Sequence, residues 1–134
     1  MASASRLPLS LFLLRIGVFV VMFFWTLDKF IRPDHAAGVF AAFYKIEGLG
    51  PTIMYIMAAI EMAIILGFVA GWQKKWTYGF VLIVHAISTL SSYAQYFAPF
   101  DKGNLLFFAA WPMLAACYAL FALRDEDTLF SVSK

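Results

Sequence analysis

Four runs of about 20 predominantly apolar residues dominate the chain, the length a helix needs to cross ~30 Å of hydrocarbon at 1.5 Å per residue. They cover Leu9 to Ile31, Pro51 to Gly71, Trp76 to Ala98 and Asn104 to Leu123. Charged residues make up 13% of the chain, about half the share usual in a water-soluble domain. The surplus apolar surface therefore needs lipid as its solvent. Little chain lies between the runs, so the sequence reads as one transmembrane domain over residues 1–134.

The expected fold is all-α: an integral membrane four-helix bundle, up-down and antiparallel. A β-barrel would alternate apolar and polar residues over ~10-residue strands, whereas Ile53 to Phe68 is almost uniformly apolar. Leu9 to Ile31 is too long for a signal-peptide core, carries Arg15 and lacks a following small-residue cleavage site, so it reads as a retained span. The loops Trp72 to Lys75 and Pro99 to Gly103 are short enough to force antiparallel neighbours.

Arg32 to Gly50 differs in character. Val39, Phe40, Phe43 and Tyr44 fall on one helical face, Pro33 suits a first helical turn, and Gly48, Gly50 and Pro51 interrupt the chain afterwards. Two readings fit: a short interfacial helix on or in the membrane surface, or a structured loop with a few core contacts.

Basic residues favour the cytoplasmic side of short loops. Arg6, Lys74, Lys75, Arg124 and Lys134 fall on one side, and Lys29, Arg32, Lys45 and Lys102 on the other. With the compact Lys74-Lys75 loop, this places both termini in the cytoplasm of a cell whose inner membrane the chain spans. The net charge of +2 is spread over span ends and forms no nucleic-acid stripe. Trp25, Trp72, Trp76 and Tyr78 lie near span ends, where amphipathic rings anchor at the interface.

Ionisable groups inside spans are costly, about 2.5 to 3.5 kcal/mol each at the membrane centre unless paired or hydrated. Three stand out: Arg15, Glu61 and His85. Glu61 sits roughly 15 Å deep, His85 roughly 13 to 14 Å, and Arg15 roughly 9 Å in with a side chain able to reach toward Glu61. These three can converge in one pocket that binds a ligand or handles protons. They can equally be an Arg15–Glu61 ion pair that sets helix register, with His85 hydrogen-bonded to a neighbour.

Ser88, Ser92 and Gln95 repeat at helical spacing on the face of His85, either as a polar path or as helix-to-helix hydrogen bonding. Asp28, Lys29, Arg32 and Asp34 read as snorkelling residues at the outer surface. Phe107, Phe108 and Trp111 can flank a ring or simply pack. Gly67 and Gly71 have small-xxx-small spacing, and Pro112 should kink the fourth span.

A single cysteine, Cys117, excludes an internal disulfide or a CxxC pair, and with them thiol-disulfide catalysis by this chain alone. Two histidines at different depths, His35 and His85, argue against haem or a metal site. No pattern is specific enough to name a reaction.

Leu14-Arg15, then Lys29-Phe30, Pro33, and Glu61 with Gly71 resemble the DoxX-like family of small four-span membrane proteins. The chain departs from that pattern where glycines usual between the Arg and the Lys are replaced by Phe19 and Thr26. The family takes its name from a subunit associated with a terminal quinol oxidase, and relatives are tied to redox or thiol homeostasis and to assembly of other proteins. The resemblance marks Arg15, Lys29 and Glu61 as family-like positions; His85 is added by depth.

The leading expectation is a small subunit linked to a quinone or redox system, binding a lipophilic ligand, possible as a quinone, or a partner between its helices. Its rivals are a non-enzymatic assembly or scaffold protein, and a small oligomeric transporter or channel. The bilayer, other membrane subunits and self-association are the partners that fit.

Overall fold

A computed structural model describes residues 2–132, with side chains from Arg6 onward. Lys134, counted above among the basic residues of one side, lies outside the described residues. The chain is helical: α1 Ala2–Ile31, α2 Pro33–Val39, a π-helical turn Phe40–Tyr44, α3 Pro51–Ala70, α4 Lys74–Ser91, α5 Tyr93–Tyr96, a 3-10 helix Asn104–Ala109 and α6 Ala110–Ala122.

Among the described residues, three segments are long and apolar enough to cross a membrane: Arg6–Ile31, Pro51–Ala70 and Asn104–Ala122. The third expected span is different. It stops at Ser91, and its 18 residues include Lys74, Lys75, His85 and several hydroxyl groups, so α4 is not among the strongly apolar segments. Its buried positions, Lys74, Thr77, Tyr78, Val81, His85 and Thr89, recur at helical spacing and form one inward stripe. Here the polar content that weakens the span is turned toward the other helices.

The long helices form a closed ring. α1 packs antiparallel on α3 and α4 on α6, and the pairs join through α3–α4 contacts and a sparser α1–α6 seam. The inward stripe of α1 runs Leu11, Arg15, Val18, Met22, Thr26 and Lys29, three or four residues apart as one face of a helix requires. Outward stand Leu13, Phe24, Ile56, Ile60, Ile83 and Tyr118, all exposed, a surface whose natural solvent is acyl chain.

Gly71 ends α3 in the left-handed conformation, φ 70°. Its N–H bonds to the Phe68 carbonyl at 3.0 Å and that of Trp72 to Gly67 at 2.8 Å, a Schellman closure. Gly67 lets the ring of Trp72 fold back, since a Cβ there would stand 3.2 Å from it. The two glycines thus serve the α3–α4 turn, not a helix-to-helix seam. A Cβ on Gly71 would collide with Ser131 Oγ and stand 2.9 Å from Ser131 Cβ. Gly71→Ala is therefore expected to cost at least about 1 to 2 kcal/mol from the backbone alone, read as a lower unfolding midpoint in detergent.

Pro112 does not kink a continuous fourth span. It stands in the first turn of α6, where its missing N–H is tolerated, and the preceding residues are wound as the 3-10 helix. The expected short helix after α1 is present, with Pro33 at its first position. The π-helical turn that extends it closes at Lys45, φ 61°.

Candidate functional site

The three ionisable residues expected inside spans do not form one cluster. Arg15 and Glu61 belong to opposite ends of the inward stripe of α1, each with a partner of its own.

Arg15 is fully buried and pairs with Asp127, Nη1 to Oδ1 at 3.4 Å. Its Nη1 also lies 3.4 Å from the Tyr78 hydroxyl, and Tyr78 donates to Asp127 Oδ2 at 2.6 Å. Arg15 Nη2 donates to the backbone carbonyls of Leu129 and Phe130, the second at 3.2 Å. The chain after α6 therefore folds back across the bundle end. Val132 N–H bonds to the Ala70 carbonyl at 2.9 Å, and the rings of Phe12 and Phe130 meet at 5.1 Å.

Lys74 closes this end by donating to the Asp127 carbonyl at 2.5 Å. Contact between the N-terminal half of α1 and the chain after α6 puts both ends of the described chain on one side of the bundle.

Sequence reasoning missed two residues here. Asp127 sits in the run Asp125-Glu126-Asp127, which reads as a solvated tail. Tyr78 reads as an interface anchor, yet it is 1% exposed, whereas Trp25, Trp72 and Trp76 stand 53%, 54% and 69% exposed as anchors should.

The second centre lies near the other end of α1. Lys29 Nζ stands 3.2 Å from Glu61 Oε1, with side chains 11% and 14% exposed. Thr26 places its hydroxyl 2.5 Å from the same oxygen and 2.7 Å from the Met22 carbonyl, so its one proton is shared between them. Lys29 does not snorkel outward; the charge of Glu61 draws it in. Asp28 lies at the edge of the cavity described next, bound by Arg32 Nε at 2.8 Å and by His35 Nδ1 at 2.7 Å.

Lys29 and Glu61 form part of the wall of a cavity of ≈ 1200 Å³ enclosed by α1, α3, α4, α6 and the π-helical turn. Otherwise that wall is mostly apolar. Val39, Phe40, Phe43 and Tyr44, the stripe of the short helical segment, all face into it. Trp25, Ile60, Ile87 and Leu106 belong both to its lining and to the exposed surface, so the cavity opens sideways toward the surroundings of the bundle.

His85, Ser88 and Ser92 line this cavity as well; Arg15 and Gln95 do not. His85 Nε2 donates to the Ala110 carbonyl at 3.0 Å, which ties α4 to the start of α6. The expected polar path along Ser88, Ser92 and Gln95 is broken. Thr89 and Ser92 bond back to the carbonyls of His85 and Ser88, at 2.7 and 3.3 Å, a habit that bends or ends helices. α4 stops there, and Gln95 falls in α5 with its Oε1 buried and unpartnered among the described residues.

Phe107 lines the cavity and packs on Phe43 at 5.8 Å, but Phe108 and Trp111 pack on Tyr96, each at 5.3 Å. Searches of protein-family models, of curated proteins and of solved structures give no match to this chain.

Proposed function

We propose that this chain is a multi-pass inner-membrane protein with four crossings and cytoplasmic termini, which holds a lipophilic ligand in the cavity beside Lys29 and Glu61. The observation that carries the reading is that cavity: ≈ 1200 Å³, lined mainly by apolar and aromatic side chains, with one ion pair in its wall. Ligand sites in proteins have this character, a large apolar lining with a few placed polar groups. α4 counts as the fourth crossing because its neighbours in the ring are apolar spans joined to it by short connections.

The resemblance to DoxX-like proteins supports a link to a quinone or redox system, and the family-like positions Lys29 and Glu61 face each other in the cavity wall. Arg15, the third such position, serves the end of the bundle and takes no part in the cavity. No residue set here suggests a reaction.

Native mass spectrometry of the protein, extracted gently from its own membrane with lipid extracts analysed in parallel, tests this. One lipophilic molecule per chain, reduced by Glu61→Gln, is the expected result. A chain that repeatedly emerges empty overturns the ligand reading.

A second reading, an assembly or scaffold protein, draws support from Phe97 and Phe100, which stand 86% and 87% exposed at the α5–α6 connection. A stoichiometric protein partner lost on Phe97→Ala with Phe100→Ala, and indifferent to Glu61→Gln, would favour it. The transporter reading is weakened by the break at Ser92, which removes the continuous polar face it needs.

A further inference from the structure

We infer that the ligand's polar head is an uncharged hydroxyl: the cavity takes a lipid alcohol in preference to a phospholipid, an amine or a lipid whose head only accepts hydrogen bonds. This rests on the reading of the cavity as a ligand site and names the chemistry it selects.

The argument starts at Glu61. Thr26 and Lys29 both bind Oε1; Oε2 is not among the buried unpartnered atoms, and the side chain lines the cavity, so this oxygen stands open to an occupant. A carboxylate oxygen that faces an apolar occupant loses hydration unless the occupant supplies a donor. A donor from the ligand relieves that cost. Lys29 has three protons and spends one on Glu61, with the Phe40 ring 5.9 Å away. The wall thus offers an acceptor and a donor side by side, and a hydroxyl answers both at once.

Charge narrows the choice further. Lys29 offsets Glu61, and Asp28, also in the cavity wall, is offset by Arg32 and hydrogen-bonded by His35. A phosphate or ammonium head would add a charge with no counter-charge left to meet it, between mostly apolar walls. An ether or a ketone would satisfy Lys29 but leave Glu61 Oε2 bare. The apolar remainder of the cavity, open toward the bilayer, receives the chains.

The test uses the full-length chain in lipid nanodiscs, with affinities from native mass-spectrometric titration. Dioleoylglycerol is compared with its methyl ether and with dioleoyl phosphatidic acid, and a long-chain benzoquinol with its quinone. Loss of a hydrogen bond to a charged group predicts that the hydroxyl forms bind about tenfold to a hundredfold tighter than their blocked or oxidised counterparts. Glu61→Gln should erase that ratio and leave the residual apolar affinity. The pair with the larger ratio identifies the source, glycerolipid or quinol.

Equal binding of alcohol and ether, and of quinol and quinone, overturns the head-group inference while the ligand cavity stands. Tighter binding of phosphatidic acid overturns it too. Binding of none of these probes overturns both, since the cavity would then accept no such lipid. The ratio is read in the unsubstituted chain, so a variant that fails to fold leaves the test intact.

Discussion

Replacing Arg15 with methionine is expected to lower the unfolding free energy by about 3 to 5 kcal/mol, the usual result of removing one partner of a buried ion pair. Asp127 would be left as a fully buried carboxylate whose remaining neighbours are the Tyr78 hydroxyl and the Lys74 chain. The carbonyls of Leu129 and Phe130 would lose their donor as well. Thermal or denaturant unfolding in detergent reads the loss. Arg15→Met with Asp127→Leu should regain much of it, because a well-packed apolar replacement removes the desolvation cost on both sides. A single variant within about 1 kcal/mol of the parent, as for an exposed pair, would show that the end after α6 does not seal Arg15 in.

Lys29→Met is expected to cost about 2 to 4 kcal/mol. That is slightly less than for a fully buried pair, because Lys29 and Glu61 keep 11% and 14% exposure and Thr26 still supports Oε1. Paired replacement, Lys29→Met with Glu61→Leu, should restore most of the stability yet abolish ligand retention. That separation of stability from binding distinguishes a ligand site from a pair that only fixes helix register. Stability and retention recovered together would favour the register role.

Three of the four expected spans are legible because lipid demands long apolar runs, and composition reports them. What sequence arithmetic misjudged was level. Counting residues from each span end assumes that all helices begin at one plane, so Arg15 was set against Glu61. In the structure Lys29, near the C-terminal end of α1, meets Glu61, ten residues inside α3, so α3 runs on roughly 15 Å beyond that level. Glu61 stands out in the sequence by its depth and Lys29 only through the DoxX-like pattern, but their pairing does not, since it depends on this stagger.

The clamp at the other end had no local signal. Arg15 and Leu129 are 114 residues apart, and an acidic run after a span looks the same whether solvated or folded inward. Gln95 was misplaced for a different reason: helical spacing was extended through Ser92, where hydroxyl groups compete for the backbone. The apolar stripe of Val39, Phe40, Phe43 and Tyr44 was read correctly as a face, and the structure supplies what that face meets.

All of this depends on α4 crossing the bilayer, although it is not among the strongly apolar segments. Its crossing is tested by single cysteines at Lys45, Lys75 and Lys102, all exposed, placed one at a time in a Cys117→Ser background that removes the only native thiol. They are probed in intact cells with a membrane-impermeant maleimide. Labelling from outside at 45 and 102, with 75 protected until the membrane is opened, is the expected result. Labelling of 75 and 102 from the same side would mean that α4 does not cross, and would contradict the four-span bundle and the cavity within it.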